Sequence, residues 1–143
     1  MANFITHKIN NLTARMNSEG GEILQREFQL TYSQFEVLSV VHGVGSVSQQ
    51  VIAEYSQYSK GLISRVIFAL VANDLVTVSD QVGDRRVKII TLTAKGKDRF
   101  ERASDYLERA FREKVLLGQG QKISAAEIQT FEKVLDKLLA KFS

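Results

Sequence analysis

The chain has no cysteine and no proline among its 143 residues, and only two histidines. Without cysteine there is no disulfide, no thiolate zinc site, no cysteine nucleophile and no thiol-based redox sensing. That fits a reducing compartment, and a cytoplasmic location is expected. Without proline, and without a Ser/Gly-rich tract, the sequence marks no rigid or flexible linker between domains. No apolar run approaches the roughly 18–20 residues a membrane span needs. The N-terminus has no charged segment leading into a long apolar stretch, so no signal peptide is expected. His7 and His42 stand apart in the sequence, in no metal-binding or triad-like spacing. There is no glycine-rich phosphate loop, since Gly43-Val44-Gly45 reads as a loop between helices. Enzyme activity, a metal and a cofactor are therefore not expected, and no internal repeat is visible.

What is present suits one domain of ordinary size, residues 1–143. Hydrophobic residues make up 44%, enough for a real core. The formal net charge of +3 is modest, but its distribution is not even. From Lys60 to Arg102 there are nine Lys/Arg against five Asp/Glu. The preceding residues carry three against five, and the following ones seven against six. The basicity is local, as on a nucleic-acid-binding surface.

Residues 3–16 place Phe4, Ile5, Ile9, Leu12 and Met16 at helical spacing, and Gly20-Gly21 should interrupt or kink that helix before it resumes over 22–28. Thr31 to Gln34 is a capping-box pattern opening a helix with Phe35, Leu38 and Val41 inward, closing near Gly43. Ser48 caps a short helix with Val51, Ile52 and Tyr55. The turn Ser56-Gln57-Tyr58 leads to a third helix capped by Ser59, a helix-turn-helix. In that third helix Ile63, Val66, Ile67 and Leu70 share one face, while Lys60, Gly61, Ser64, Arg65 and Phe68 share the other. Leu75–Ser79 and Val87–Leu92 read as strands, joined by a loop Asp80–Arg86 with Gly83 as the turn residue. Thr93 caps a long helix from Ala94 to about Leu117. Ser124 and Glu127 form a second capping box before a last helix with a strong apolar stripe. The stripes at the two ends of the chain suit either an intramolecular core or a dimer interface.

The order of these pieces resembles the multiple antibiotic resistance regulator (MarR) family of bacterial winged-helix transcription factors. The resemblance rests on Leu30-Thr31, Gln34-Phe35, Ser48 to Glu54, Ile63 to Val66 with Leu70, Leu75-Val76, Asp84-Arg85-Arg86 and Leu92 to Gly96. It implies a mainly α fold with a small β-hairpin wing. The winged helix-turn-helix would span about 31–93, and the dimerisation helices about 3–28 and 94–142. It also implies a homodimer on a palindromic operator, its half-sites one helical turn, ~34 Å, apart. Three positions depart from the family pattern: Asp74 where glycine is usual, Val78 where a basic residue is common, and Phe68 where a polar residue is usual.

Phosphate neutralisation gives affinity and base edges give specificity. Lys60, Ser64 and Arg65 can reach phosphates or bases, Arg65 best of all. Ser59 reads first as a helix cap. Ser48 and Gln49, opening their helix, can offer backbone N–H groups to a phosphate. By resemblance, Arg86 inserts into the minor groove and Asp84 orients the wing arginines; Arg85 and Arg86 should sit at the loop tip, with Lys88, Lys95 and Lys97 as background charge. Phe68 is expected to pack on the wing or a neighbouring helix, with a thymine methyl contact or simple exposure as the other readings. An organic effector, as bound by family members, would meet Phe28, Tyr32, His42 and Phe100. The expected function is a homodimeric, sequence-specific DNA-binding regulator, a repressor released by a small organic ligand. The alternative is a winged-helix interaction or dimerisation module without operator specificity.

Overall fold

The computed structural model describes residues 4–56 and 58–143. Gln57 of the expected turn and residue 3 of the expected first helix lie outside the described residues. Among the described residues, the elements in order are α1 (Ile5–Ile23), a π-helical stretch (Leu24–Phe28), α2 (Tyr32–Val44), β1 (Val47–Ser48), α3 (Gln49–Ser56), α4 (Lys60–Ala72), β2 (Val76–Gln81), β3 (Asp84–Leu92), α5 (Ala94–Leu117) and α6 (Ala125–Leu139). They divide into two compact units, the first ending at Ser104 and the second running Asp105–Ser143.

The first helix does not break at Gly20-Gly21. Each glycine costs a helix about 1 kcal/mol against alanine, too little to end one whose next turn is anchored. Leu24 and Phe28 supply the anchor, both buried in the π-helical turn. The break comes at Gln29, which adopts a left-handed φ of 52° and hands the chain to buried Leu30.

The capping expectations hold. Thr31 Oγ1 accepts from Gln34 N–H at 3.1 Å while Gln34 Oε1 accepts from Thr31 N–H at 3.0 Å. Ser59 Oγ accepts from Leu62 N–H at 3.2 Å, and Ser48 Oγ from Val51 N–H at 3.3 Å. These side chains satisfy N–H groups that the first helical turn leaves without partners. Helix α2 runs to Val44, just past Gly43, and ends where Gly45 turns to φ 97°. Ile63, Val66, Ile67 and Leu70 are buried as the α4 pattern requires, and α4 packs against α2, α3 and β2, which carry the buried Leu38, Ile52 and Val76. Tyr55 is exposed, leaving Ile52 as the buried residue of α3.

The sheet has three antiparallel strands in the order β1-β3-β2. The sequence pattern predicted only the hairpin. The short strand β1 pairs Val47 with Ile90 and Ser48 with Ile89, so the entry to α3 is sewn to the wing.

Helix α4 closes in a Schellman-type turn, with Leu75 N–H donating to Leu70 O at 2.9 Å and Asp74 N–H to Val71 O at 3.0 Å. Asp74 takes the left-handed φ of 57° that glycine adopts most cheaply. The departure at this position thus keeps the turn geometry rather than altering it. Thr93 caps α5 through Gly96 N–H at 2.9 Å and clamps the same turn: its N–H donates to Leu75 O at 3.1 Å and its hydroxyl to Asp74 O at 2.7 Å.

In the second unit Ser124 and Glu127 form the expected capping box before α6. Arg112 bonds Glu108 at 2.7 Å and lies 3.7 Å from Glu132 of α6. No residue of α6 is buried. The last helix ends at Leu139, short of the expected 142.

Candidate nucleic-acid interface

The wing places its charges differently from the expectation. Strand β2 reaches Gln81 and β3 begins at Asp84, so Val82 and Gly83 alone make the tip. Gly83 supplies the positive φ of 85° and Val82 is fully exposed. Asp84, Arg85 and Arg86 are therefore strand residues, not tip residues. The physical reason is pairing: Gln81 opposite Asp84 lets the ladder run to a two-residue turn, with the irregularity at Asp80/Gln81 leaving Arg85, Arg86 and Val87 without register partners.

The register irregularity interrupts the alternation along β3: Arg85 and Arg86 are both exposed, and Ile90 beyond them is buried. Asp84 holds Arg86 at three points: the Arg86 backbone N–H at 3.0 Å, Nε at 3.0 Å and Nη2 at 3.1 Å. These bonds keep the Asp84 carboxyl below the usual carboxylate range and push the Arg86 guanidinium up. The Arg86 side chain nevertheless stays 90% exposed, fixed in aim but open to an incoming anion. Lys88 pairs across the strands with Asp80, its register partner.

Gln49 Nε2 donates to Ser64 Oγ, tying the start of α3 to α4. Ser48, Gln49, Gln50, Lys60, Arg86, Val87 and Lys88 line one open depression of about 220 Å³. Of the expected contact residues, Ser48, Gln49, Lys60, Arg86 and Lys88 come together here, while Ser59, Ser64, Arg65, Asp84 and Arg85 lie outside its lining. Gln50 and Val87 were not foreseen. Gln50 could have been, because it occupies the first turn of α3 beside Gln49. Three cations around a helix N-terminus make the depression attractive to an anion such as a phosphate.

Phe68 is 79% exposed, which overturns the expectation that it packs within the chain. Its helical position puts it on the solvent side, opposite Ile63, Val66 and Ile67. A different aromatic contact anchors the turn before α4. Tyr58 donates to Glu36 of α2, and its pKa is pushed up, first by burial and then by that bond. Tyr32 is raised too, by burial first and by the nearby negative charge of Glu36 second.

Of the expected effector residues, His42 and Phe100 are brought together, ring centroids 4.7 Å apart, with Phe35 5.2 Å from Phe100. His42 Nε2 also meets Glu101 at 3.0 Å. Phe28 and Phe100 are buried and Tyr32 is half-buried. No cluster of three or more His, Asp or Glu residues able to hold a metal occurs among the described residues. Nor is any helix among them long and apolar enough to cross a membrane.

A helix-turn-helix whose second helix runs into a two-stranded ribbon, with a third short strand at its base, defines a winged-helix protein. Residues 28–87 match the family model of the MarR family. The chain has the winged-helix fold of the MarR structures. Wild-type MarR (apo form) from E. coli superposes with a TM-score of 0.86 at 19% identity, over 97% of this chain and 98% of that one. A mutant of the same protein complexed with operator DNA gives 0.70 at 19% identity, over 92% and 94%. In sequence, an uncharacterized HTH-type transcriptional regulator of Bacillus subtilis, YvnA, is 26% identical over 82 residues, 57% of this chain. The match spans 51% of that relative, about half its length.

Proposed function

We propose that the protein is a homodimeric, sequence-specific DNA-binding transcriptional regulator acting in the cytoplasm. The observation that carries this reading is the cationic depression. It joins the N-terminus of α3, Lys60 at the start of the recognition helix α4, and Arg86 and Lys88 of the wing on one surface. Two elements that would touch a duplex at different points are thereby held in one frame. Backbone N–H groups and Lys60 take phosphates, the exposed side of α4 takes the major groove, and Arg86 takes the neighbouring minor groove. The likeness to a MarR solved with operator DNA supports the same docking.

Dimerisation is supported by two uncovered apolar rows. Helix α1 and its lead-in expose Phe4, Ile5, Ile9, Leu12 and Met16; α6 and the short segment after it expose Phe131, Val134, Leu138, Leu139 and Phe142. Rows of this size at helical spacing are covered by a partner in a stable protein. The dimer presents two recognition helices to a palindromic operator, and the protein acts as a repressor. A small organic ligand preferring the spacing that does not fit DNA by ~3 kcal/mol weakens binding roughly a hundredfold. His42 and Phe100, with Phe28 and Tyr32, are the residues assigned to it. Thiol oxidation is not the trigger, since there is no cysteine.

Selection from a random duplex pool tests the reading. A palindromic sequence should be enriched at modest salt, and its affinity should fall linearly on a log–log plot against salt. An unenriched pool overturns it.

A further inference from the structure

We infer that Phe68 reads a thymine 5-methyl group in the major groove, and that Gly61 is glycine so that the first turn of α4 can lie close against the bases. This rests on the DNA-binding reading above and assigns specificity within it.

Two independent observations converge on one line of the helix. At 100° per residue, Phe68 projects within about 20° of Gly61, about 40° of Ser64 and about 60° of Arg65. It therefore belongs to the polar face of α4, not to its core face. On that face it is 79% exposed, a large apolar side chain left in water at the C-terminal end of a polar row. Gly61 is unusual in the opposite sense. A Cβ there would meet nothing within 4 Å. Alanine is the better helix former, so nothing inside the chain calls for glycine at this point of α4. A surface that needs the helix backbone to come near does.

The two fit one partner. Gly61 and Phe68 are about 10 Å apart along the axis, roughly three base-pair steps of a duplex. A helix pressed in by its glycine end, held by Lys60 and Arg65, sets the Phe68 ring on the groove wall a few base pairs on. The apolar group available there is the thymine 5-methyl, which cytosine and the purines do not present. Burying one methyl against the ring contributes about fourfold in affinity.

The test uses the full-length protein and the sequence enriched from the random pool. Each thymine is replaced singly by deoxyuridine, which deletes the methyl and keeps the base pair. At one position per half-site, the replacement should weaken the natural protein about fourfold and leave Phe68→Ala unchanged. Phe68→Leu, which keeps an apolar side chain, should retain part of the discrimination. Gly61→Ala should unfold at a higher temperature yet bind the same duplex more weakly. If a sequence is enriched but no thymine discriminates between the natural protein and Phe68→Ala, the inference fails while the DNA-binding reading stands. If no sequence is enriched, both fail.

Discussion

Replacing Gly96 by alanine separates two opposed effects by sign. Gly96 sits in the first turn of α5, where alanine ordinarily favours a helix by about 1 kcal/mol. Here a Cβ would lie 1.9 Å from the carbonyl oxygen of Leu75 and 2.8 Å from its carbon. Backbone cannot rotate away as a side chain can, so the turn at 73–75 and the start of α5 must part by more than an ångström. That movement stretches Thr93 N–H to Leu75 O, 3.1 Å, and Thr93 Oγ1 to Asp74 O, 2.7 Å. The two bonds contribute about 1 kcal/mol each, and forcing an extra methyl into a packed site costs about 1–3 kcal/mol. After the gain in propensity, the net loss is about 2–4 kcal/mol. For 143 residues, with an unfolding entropy near 2.1 cal/mol/K per residue, Tm should fall by about 10 °C. Circular dichroism at 222 nm during heating measures it. An unchanged or raised Tm would mean that the helix and the turn are not in contact, and would refute the close approach.

Asp74→Gly should act the other way, raising stability by about 1 kcal/mol, because the left-handed φ of 57° then costs nothing; a Tm that falls argues against the turn as described. Arg86→Ala should lower DNA affinity at least tenfold with Tm and oligomeric state unchanged, as expected for an exposed side chain; unaltered affinity removes Arg86 from the interface. The hold of Asp84 on Arg86 should depend on pH with a definite sign. The folded-state pKa of Asp84 lies below its unfolded value, so the contribution is complete above the ordinary carboxylate range and disappears as pH falls through the lower folded value. The Arg86 Nε–H resonance should follow that titration, and a midpoint at the ordinary aspartate value contradicts the pairing.

The helix boundaries were legible because the signals are local. Thr31, Ser48, Ser59 and Ser124 each satisfy an N–H within three residues, so a short window contains the whole cause. The buried row of α4 was legible from period alone. What escaped was set by partners far along the chain. Strand β1 is two residues whose only cause is the β3 edge at Ile89 and Ile90. The wing arginines were placed at the tip because Asp80 to Arg86 is polar, yet pairing across the hairpin carries the strands through that polarity to Val82-Gly83. Gly20-Gly21 suggested a break that the burial of Leu24 and Phe28 overrides. Which of the expected contact residues share one depression was not legible. Arg86 shares a depression with Lys60, whereas Arg85, its neighbour in sequence, lies outside its lining.

Strand β1 also sets the mechanics of the wing. The ribbon is three strands wide only at Ile89 and Ile90, where Val47 and Ser48 join it, and two strands wide from there to Val82-Gly83. It is a cantilever clamped at its root, with a compliant joint at the Asp80/Gln81 bulge. Arg86 lies opposite that joint, in the stretch 85–87 that the partner strand leaves without register partners, so its bearing is set by its three bonds to Asp84 rather than by the ladder. On the DNA-binding reading proposed above, Asp84 and Arg86 would then follow the tip as one bonded unit, while Lys88, paired with Asp80 beside the root, keeps its place.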